Sequence, residues 1–594
     1  MPGEGETMAV RRRDHVVLAV AAIAVLALVA RLAFLDRRAA HWDEARVAWW
    51  TLRYLNTGFW QYEPILHGPF LFHVNRWVFE LLGPSDFTAR LVVAVGGALV
   101  PLAALPFRDR LRDDETIALA LLLAVDPLLL YYSRFLRNDL LLAGAMLAAL
   151  GLLLRSADTG RRRYVFLAVP LIALGFTMLE NAVLYLLCWA GAAGLVVLYA
   201  RRADAPRDDY RGHAEAAADV TRELTLTAVN TLRQYPGTAA LALVQFLVVV
   251  VWFYAPRGEE GATLDTALAD PTLWPAVIAE ATLGSAGRLV EKWIVGGGQG
   301  DLYPIALLML LVLTLLPSLA VVALAVYGVQ REQARPELPR SRPRPLVSFA
   351  VAWAGLSLLG YPLAVDLVAG WRPIHVVVPL TIPAAVGLAA LARQARPSLA
   401  ARVGGSHLGG PDRRTAGRAV LALAVVFAHV LVVGGATSFV FPGHQGNVVG
   451  QPAHPDNELD KTAEVAVAVA QANDGLDVVY YGGYWKEGLY TQFPLAWYFS
   501  AGDYETGDDG AVKTQVRTDT AILEDDPPPV VVVLSYQADS VEPHLDGYAC
   551  SAHELDQWVD RQPGGFATQT YVYIDEEAME EAGYGSTLSS QTCG

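Results

Sequence analysis

Residues 302–327 read LYPIALLMLLVLTLLPSLAVVALAVY, twenty-six residues without a charged side chain. A hydrocarbon core about 30 Å thick is crossed by roughly 20 apolar residues in an α-helix, so this stretch predicts a transmembrane span. It decides the fold class. Outward from it, the same criterion predicts ten more spans, at 15–35, 88–107, 116–133, 139–155, 164–180, 182–200, 237–254, 346–365, 374–392 and 419–440. The expected fold is a polytopic α-helical membrane protein of about eleven spans, embedded in a lipid bilayer. Composition agrees, with 54% of the 594 residues hydrophobic, 18% charged and a mean hydropathy of +0.33. Soluble domains carry about 25% charged residues. Three cysteines exclude a disulfide-dense scaffold or a multi-cysteine zinc module. A net charge of −15 argues against a nucleic-acid partner.

The charge is unevenly divided. Residues 441–594 hold 26 acidic and 5 basic side chains, while the first 440 residues are slightly basic. The chain therefore divides into a transmembrane domain, 1–440, and an acidic tail domain, 441–594. Acidity rich in Asp and poor in Lys is what a domain bathed in high salt tends to show, which points to a halophile. Basic residues orient the spans, because cytoplasmic loops carry the excess of Lys and Arg. With the N-terminus inside, Arg11–Arg13, Arg108, Arg110, Arg112, Arg161–Arg163 and the segments 201–236, 331–345 and 393–418 are cytoplasmic. Eleven crossings then place the tail outside the cell, together with the loops 36–87 and 255–301. In the tail, 477–483, 528–536 and 567–575 read as strands bounded by turn residues. Helices are expected at 457–472, 485–500 and 552–561, giving a small extracellular α/β domain. Cys550 and Cys593 fall inside it, where an oxidising setting allows a disulfide.

Charged side chains near a bilayer are costly, so their placement is informative. Three acidic clusters stand where spans meet the outer surface: His41-Trp42-Asp43-Glu44-Ala45-Arg46, the turn Tyr131-Tyr132-Ser133-Arg134-Phe135-Leu136-Arg137-Asn138-Asp139, and Glu180-Asn181. All three lie at one membrane face in this topology. Taken singly, each reads equally as ordinary interface residues. Asp126 is different, since it falls near mid-span, where a carboxylate must face the bundle interior, paired or protonated. His67 and His73 are six residues apart, unlike a tight metal motif, and read as packing or interface residues. Trp42, Trp49, Trp50, Trp60 and Trp77 are either sugar-stacking or interfacial. Gly296–Gly298 with Gln299 and Gly300 lacks the Lys-Ser/Thr ending of a nucleotide loop and reads as a connection. No Asn-x-Ser/Thr sequon occurs.

The stretch His41–Leu91 contains DEARVAWWTLRYL and then HGPFLFHVNRWVFELLGPSDFTARL. It resembles the first external loop of GT-C glycosyltransferases of the protein mannosyltransferase (family 39) and aminoarabinose-transferase type. Those carry an Asp-Glu after the first helix, a Pro-containing juxtamembrane helix, and a Gly-x-Ser-x-x-x-x-Arg-Leu start to the second span. The Tyr131–Asp139 turn is similar to the second acidic motif of the same superfamily. The layout, with an acidic tail carrying Pro494-Leu495-Ala496-Trp497-Tyr498, resembles the archaeal branch called flippase activity-associated proteins. The chain departs from the aminoarabinose type at His67-Gly68-Pro69-Phe70, where a basic residue with Pro-Pro is usual.

The resemblance implies an inverting membrane glycosyltransferase. It would take a sugar from a polyprenyl (dolichyl) phosphate carrier and transfer it to a glycan or protein acceptor on the outer face, in surface-glycan or N-glycan assembly alongside other glycosylation-pathway proteins. An attacking hydroxyl or amide needs a positioned carboxylate, for which Asp43 is the candidate, with Glu44 as alternative or support. The departing phosphate needs donors, and Arg134 and Arg137 offer bidentate ones. Asp139 would orient one of these arginines, or join Asp43 in binding a divalent metal, Mg or Mn. Arg372 in Gly370-Trp371-Arg372-Pro373-Ile374-His375, His67 and Glu180 are further candidates for substrate binding. The alternative is a flippase, or a factor assisting one, moving lipid-linked sugar across the membrane. A flippase needs polar residues recurring at mid-span, whereas Asp126 is nearly alone there.

Overall fold

The structure is a computed structural model. It describes residues 4–64, 68–202, 210–292, 303–334, 343–363, 369–403, 413–443, 447, 449–450, 455, 458–506, 512–525, 527–554, 569–585 and 593. Among these, nine helices are long and apolar enough to cross a membrane. They match nine of the expected spans, and the protein is multi-pass. The other two expected spans take shorter forms. Residues 164–180 form the 16-residue helix Arg163–Met178, and 116–133 is broken into Asp113–Val125 and Pro127–Tyr132. The break follows from the sequence, since Pro127 has no N–H to donate and clashes with a preceding turn. Asp126 turns the break into a new helix start, its Oδ1 accepting the N–H groups of Leu128 (3.1 Å) and Leu129 (3.2 Å). The Ser318 hydroxyl donates to the same oxygen at 3.0 Å, so Asp126 faces the interior of its helical unit. The segment 201–236, read as a loop, contains the helix Tyr210–Gln234.

The chain divides into two compact units. The helical unit comprises Met1–Ala33, Trp60–Leu71 and Val93–Val440. Without water between helices, packing rather than the hydrophobic effect holds such a bundle, and small residues allow close approach. Gly328 on the helix Tyr303–Gln333 and Gly387 on Ile374–Val403 provide it. A Cβ on Gly328 would meet the Pro383 carbonyl oxygen at 2.0 Å, and one on Gly387 the Leu324 oxygen at 2.2 Å.

The second unit comprises Phe34–Phe59, Phe72–Val92 and Phe441–Gly594. Its centre is a five-stranded sheet in the order β2-β1-β3-β5-β4, with β1 Val478–Tyr481, β2 Thr514–Arg517, β3 Val530–Leu534, β4 Tyr548–Glu554 and β5 Gln569–Asp575. Strand β1 runs parallel to β2 and β3, while β5 is antiparallel to β3 and β4. Both faces are covered, which explains the unbroken apolar run VVVVL of β3. Val530, Val532 and Leu534 pack with Val478, Tyr480, Val572, Ile574 and the helix Leu459–Ala472. Val531 and Val533 face Leu523, Ala538, Val541 and Leu545 on the other side.

The three expected strands are present. The expected helix 485–500 begins only at Leu495, after two turns of 3₁₀ helix. Residues 552–554, expected as helical, instead complete β4, because pairing Tyr548–Glu554 with Asp575–Gln569 overrides local propensity. Cys550 on β4 is disulfide-bonded to Cys593, with Cα atoms 5.9 Å apart.

Candidate active site

In the sheet unit, the helix Trp42–Thr57 carries Asp43 and Glu44 in its first turn, where carboxylates complement the helix dipole. His41 caps it. Its Nδ1 accepts the Asp43 N–H at 3.0 Å, and Glu44 reaches back to accept the His41 N–H at 3.1 Å. Gly58, at φ 66°, closes the other end.

Glu44 is buried between two guanidinium groups. Arg38 donates to both its oxygens at 2.6 and 2.7 Å, and Arg90 does so through Nε at 3.0 Å and Nη2 at 3.1 Å. Arg90 also donates to the carbonyls of Leu35 (3.0 Å) and Arg38 (2.8 Å). Burial alone would push the Glu44 carboxyl up, but the two arginines hold it well below the usual carboxylate range. Asp43, its neighbour, is paired with Arg46 at 3.5 Å, and Arg46 lies over the Trp42 ring at 4.2 Å.

Arg90 comes from the helix Asp86–Leu99, whose start is built by the Gly-x-Ser-x-x-x-x-Arg-Leu stretch. Gly83 makes the turn at φ 78°, and Ser85 and Thr88 exchange capping hydrogen bonds at 2.9 and 3.2 Å. Asp86 stands one turn before Arg90, 3.8 Å from it. It accepts hydrogen bonds from the Trp497 indole (2.9 Å) and the Tyr498 hydroxyl (3.0 Å). His73 is hydrogen-bonded to the Tyr54 hydroxyl at 3.2 Å. His67 lies outside the described residues.

The helical unit holds a second set. Asp139 opens the helix Asp139–Thr159 and is almost fully buried. Arg137 Nε donates to its Oδ2 at 3.1 Å, and the Arg137 guanidinium lies 3.3 Å from the centre of the Trp371 ring. His375 Nε2 is 3.3 Å from Asp139 Oδ1, and His375 Nδ1 is 2.6 Å from the Tyr185 hydroxyl. One tautomer satisfies both contacts, with Tyr185 donating to Nδ1 and Nε2–H donating to Asp139. Tyr361 stacks on the same imidazole at 4.4 Å and 10°. Arg372 lies within electrostatic range of Asp139 and of Glu180.

Glu180 accepts the Tyr62 hydroxyl at 2.7 Å. Burial first, then the Glu180 charge, push the Tyr62 phenol well up, so it stays a donor. Arg134 is used differently. Its Nη1 donates to the carbonyls of Ala30 (2.9 Å), Arg31 (3.1 Å) and Ala33 (2.6 Å), capping the end of the helix Glu4–Leu32.

The structure thus brings together Asp139, Arg137, Arg372 and Glu180 in one unit, and Asp43 with Glu44 in the other. Sequence reasoning missed Arg38, Asp86, Arg90, Tyr185 and His375 as working parts. Arg90 and Asp86 were visible within the Gly83–Leu91 motif, and His375 ends the quoted Gly370–His375 stretch. Arg38 carried no signal. A divalent cation does not fit at Asp139, whose two oxygens are engaged by Arg137 and His375. Among the described residues no group of three His, Cys, Asp or Glu side chains is placed to hold a metal ion.

Residues 66–203 match the dolichyl-phosphate-mannose-protein mannosyltransferase family. That region includes Arg134, Arg137, Asp139 and Glu180, while Asp43 and Glu44 precede it. Residues 459–575 match the Agl23 flippase-associated protein C-terminal domain. Among solved structures, ArnT from Cupriavidus metallidurans in the apo state is similar at 18% identity and a TM-score of 0.51, over 93% of this chain and 97% of that one. The same protein bound to undecaprenyl phosphate gives 17% identity and 0.50 over the same shares. An Archaeoglobus fulgidus oligosaccharyltransferase, at 14% identity and a TM-score of 0.45 over 89% and 71% of the chains, is too distant to bear weight. No curated protein matches.

Multi-pass helices of this architecture, joined to a mannosyltransferase-type segment, define a membrane-embedded glycosyltransferase. Residues 66–203 thus form a mannosyltransferase-type segment, residues 459–575 an Agl23-type flippase-associated C-terminal domain, and the fold is shared with ArnT.

Proposed function

We propose that the protein transfers a sugar from a polyprenyl-phosphate carrier to a glycan or protein acceptor on the outer face of the membrane, in surface-glycan or N-glycan assembly. The carrier assignment is supported by the dolichyl-phosphate-mannose-protein mannosyltransferase match and by the undecaprenyl phosphate bound to the similar ArnT. In this reading the N-terminus is cytoplasmic and the sheet domain extracellular.

One observation carries the division of labour. Of two adjacent carboxylates, Glu44 is held by two bidentate arginines at 2.6–3.1 Å, while the ion pair of Asp43 with Arg46 is longer, at 3.5 Å. A group gripped by four charge-assisted hydrogen bonds is a poor proton acceptor. Asp43 therefore serves as the base that deprotonates or polarises the acceptor nucleophile, and Glu44 anchors the helix that carries it. Arg137 and Arg372 hold the carrier phosphate and stabilise the charge that develops as it leaves. Asp139 and Trp371 keep the Arg137 guanidinium oriented. Glu180 and Tyr62 supply hydrogen bonds to substrate.

The test uses membranes of a deletion strain carrying full-length variants, with the strain's own polyprenyl-phosphate-linked sugars as donor. Asp43→Asn is expected to lower transfer by about 10²–10⁴-fold, the range for losing a general base, with expression and donor KM retained. Unchanged transfer would remove Asp43 from the reaction. Mass spectrometry of the deletion strain is expected to show glycans lacking one sugar and accumulation of its charged carrier.

The flippase reading keeps one observation in its favour, the Agl23-type match at 459–575.

A further inference from the structure

We propose that Trp497 and Tyr498 of the C-terminal domain are positioning residues for Asp43, which makes that domain a working part of the transferase. This rests on the reading of Asp43 as the base.

Segment 493–500 touches the start of the Asp43 helix and its supports at four points. The Tyr498 oxygen accepts the Ala40 N–H at 2.7 Å, immediately before the His41 cap, across a sequence separation of 458 residues. Its O–H passes on to Asp86, which also receives the Trp497 indole N–H. The Phe493 ring meets Trp42 edge-on at 6.4 Å and Trp49 at 6.2 Å. Ser500 Oγ accepts the Trp49 indole N–H at 3.0 Å.

Beyond Asp86 the chain of contacts continues to Arg90 and then to Glu44, the residue next to Asp43. Two cations, Arg38 and Arg90, face two anions, Glu44 and Asp86. Arg38, Glu44 and Arg90 are buried and Asp86 is partly so, and the two cations balance the two anions. Glu44 is already neutralised by its arginines. What Tyr498 and Trp497 add is geometry, because they fix the far side of Arg90 and the peptide entering the cap. Removing the Tyr498 hydroxyl leaves the Ala40 N–H without its acceptor and Asp86 with one donor fewer. The first turn can then shift, carrying Asp43 with it. A reacting group displaced by about 1 Å can lose 10²-fold in rate.

Tyr498→Phe and Trp497→Phe each delete one donor and keep a ring. Trp497 stacks on Phe79 at 5.7 Å, a contact that Phe can retain. In the deletion-strain membranes, with the strain's own polyprenyl-phosphate-linked sugars as donor, both variants are expected to lose kcat by about 10- to 100-fold. Donor KM should stay within about twofold, and Tm close to wild type. Cys593→Ser, which loosens the same domain away from segment 493–500, is expected to lower Tm and leave kcat unchanged. Unaltered kcat in both aromatic variants, or a loss matched by Cys593→Ser, would overturn the inference while Asp43→Asn remained inactive. Retained transfer in Asp43→Asn would instead remove the reading beneath it.

Discussion

Two carboxylates adjacent in sequence have unlike surroundings. Asp43 and Glu44 both follow a helix cap, and their residue types distinguish nothing between them. Glu44 carries the capping-box contact and two bidentate arginines, and its linkage to pH follows. Its carboxyl is held below its unfolded value. Its contribution to stability is therefore complete above about pH 4.5, the ordinary glutamate range, and is lost as pH falls through the lower folded value. Glu44→Gln leaves two buried guanidinium groups facing a neutral amide, a change expected to destabilise by about 3–5 kcal/mol at neutral pH. Thermal unfolding of purified protein between pH 7 and pH 3 checks this. The wild-type advantage should shrink on the acid side, and a Tm difference independent of pH would refute it. Asp43 and Asp139 were legible as candidates from their position at span ends. Arg38 was not, because nothing local distinguishes one arginine near a membrane from another.

Elements were legible where one local rule governs them. Apolar run length predicted the long helices, and Pro127 after Asp126 accounts for the one expected span that is broken. Of the helix expected at 552–561, the described part, 552–554, is not helical, for the converse reason. Its first residues belong to an edge strand held by β5, a partner that local propensity does not reveal. Close backbone approach is another element-scale property. Gly68 donates its N–H to the Met178 carbonyl at 3.0 Å, and a Cβ there would lie 2.2 Å from the Thr177 carbonyl oxygen. Because the obstruction is backbone rather than a movable side chain, Gly68→Ala is expected to cost about 1–3 kcal/mol. That would register as a lower Tm in detergent and as weaker transfer if Tyr62 and Glu180 are disturbed. An unchanged Tm would mean that this approach is not made.

For the whole molecule, the contrast is between chemistry at a surface and passage through the bilayer. The mid-span carboxylate Asp126 is committed to starting a helix and to Ser318, which leaves it a structural part of the bundle. Purified protein in liposomes is therefore expected to leave a labelled polyprenyl-phosphate-linked sugar in its original leaflet when no acceptor is supplied. Exchange between leaflets above the protein-free rate would establish the flippase reading. The sheet order β2-β1-β3-β5-β4 and the disulfide that closes on β4 also belong to this scale, since two of the five strands had no clear signature in sequence.

The sequence by itself determined that the chain crosses a bilayer many times, is acidic over residues 441–594 and offers carboxylates and arginines where spans end. These follow from run length, composition and local motif, each set by neighbours within about 20 residues. Only the tertiary structure decided that Glu44 lies between Arg38 and Arg90, that Arg134 caps the first helix, that His375 meets Asp139, and that Tyr498 contacts Ala40 and, with Trp497, Asp86. Those roles depend on which donor meets which acceptor. Pairing between groups separated by hundreds of residues is settled by packing, and no periodicity along the chain records it.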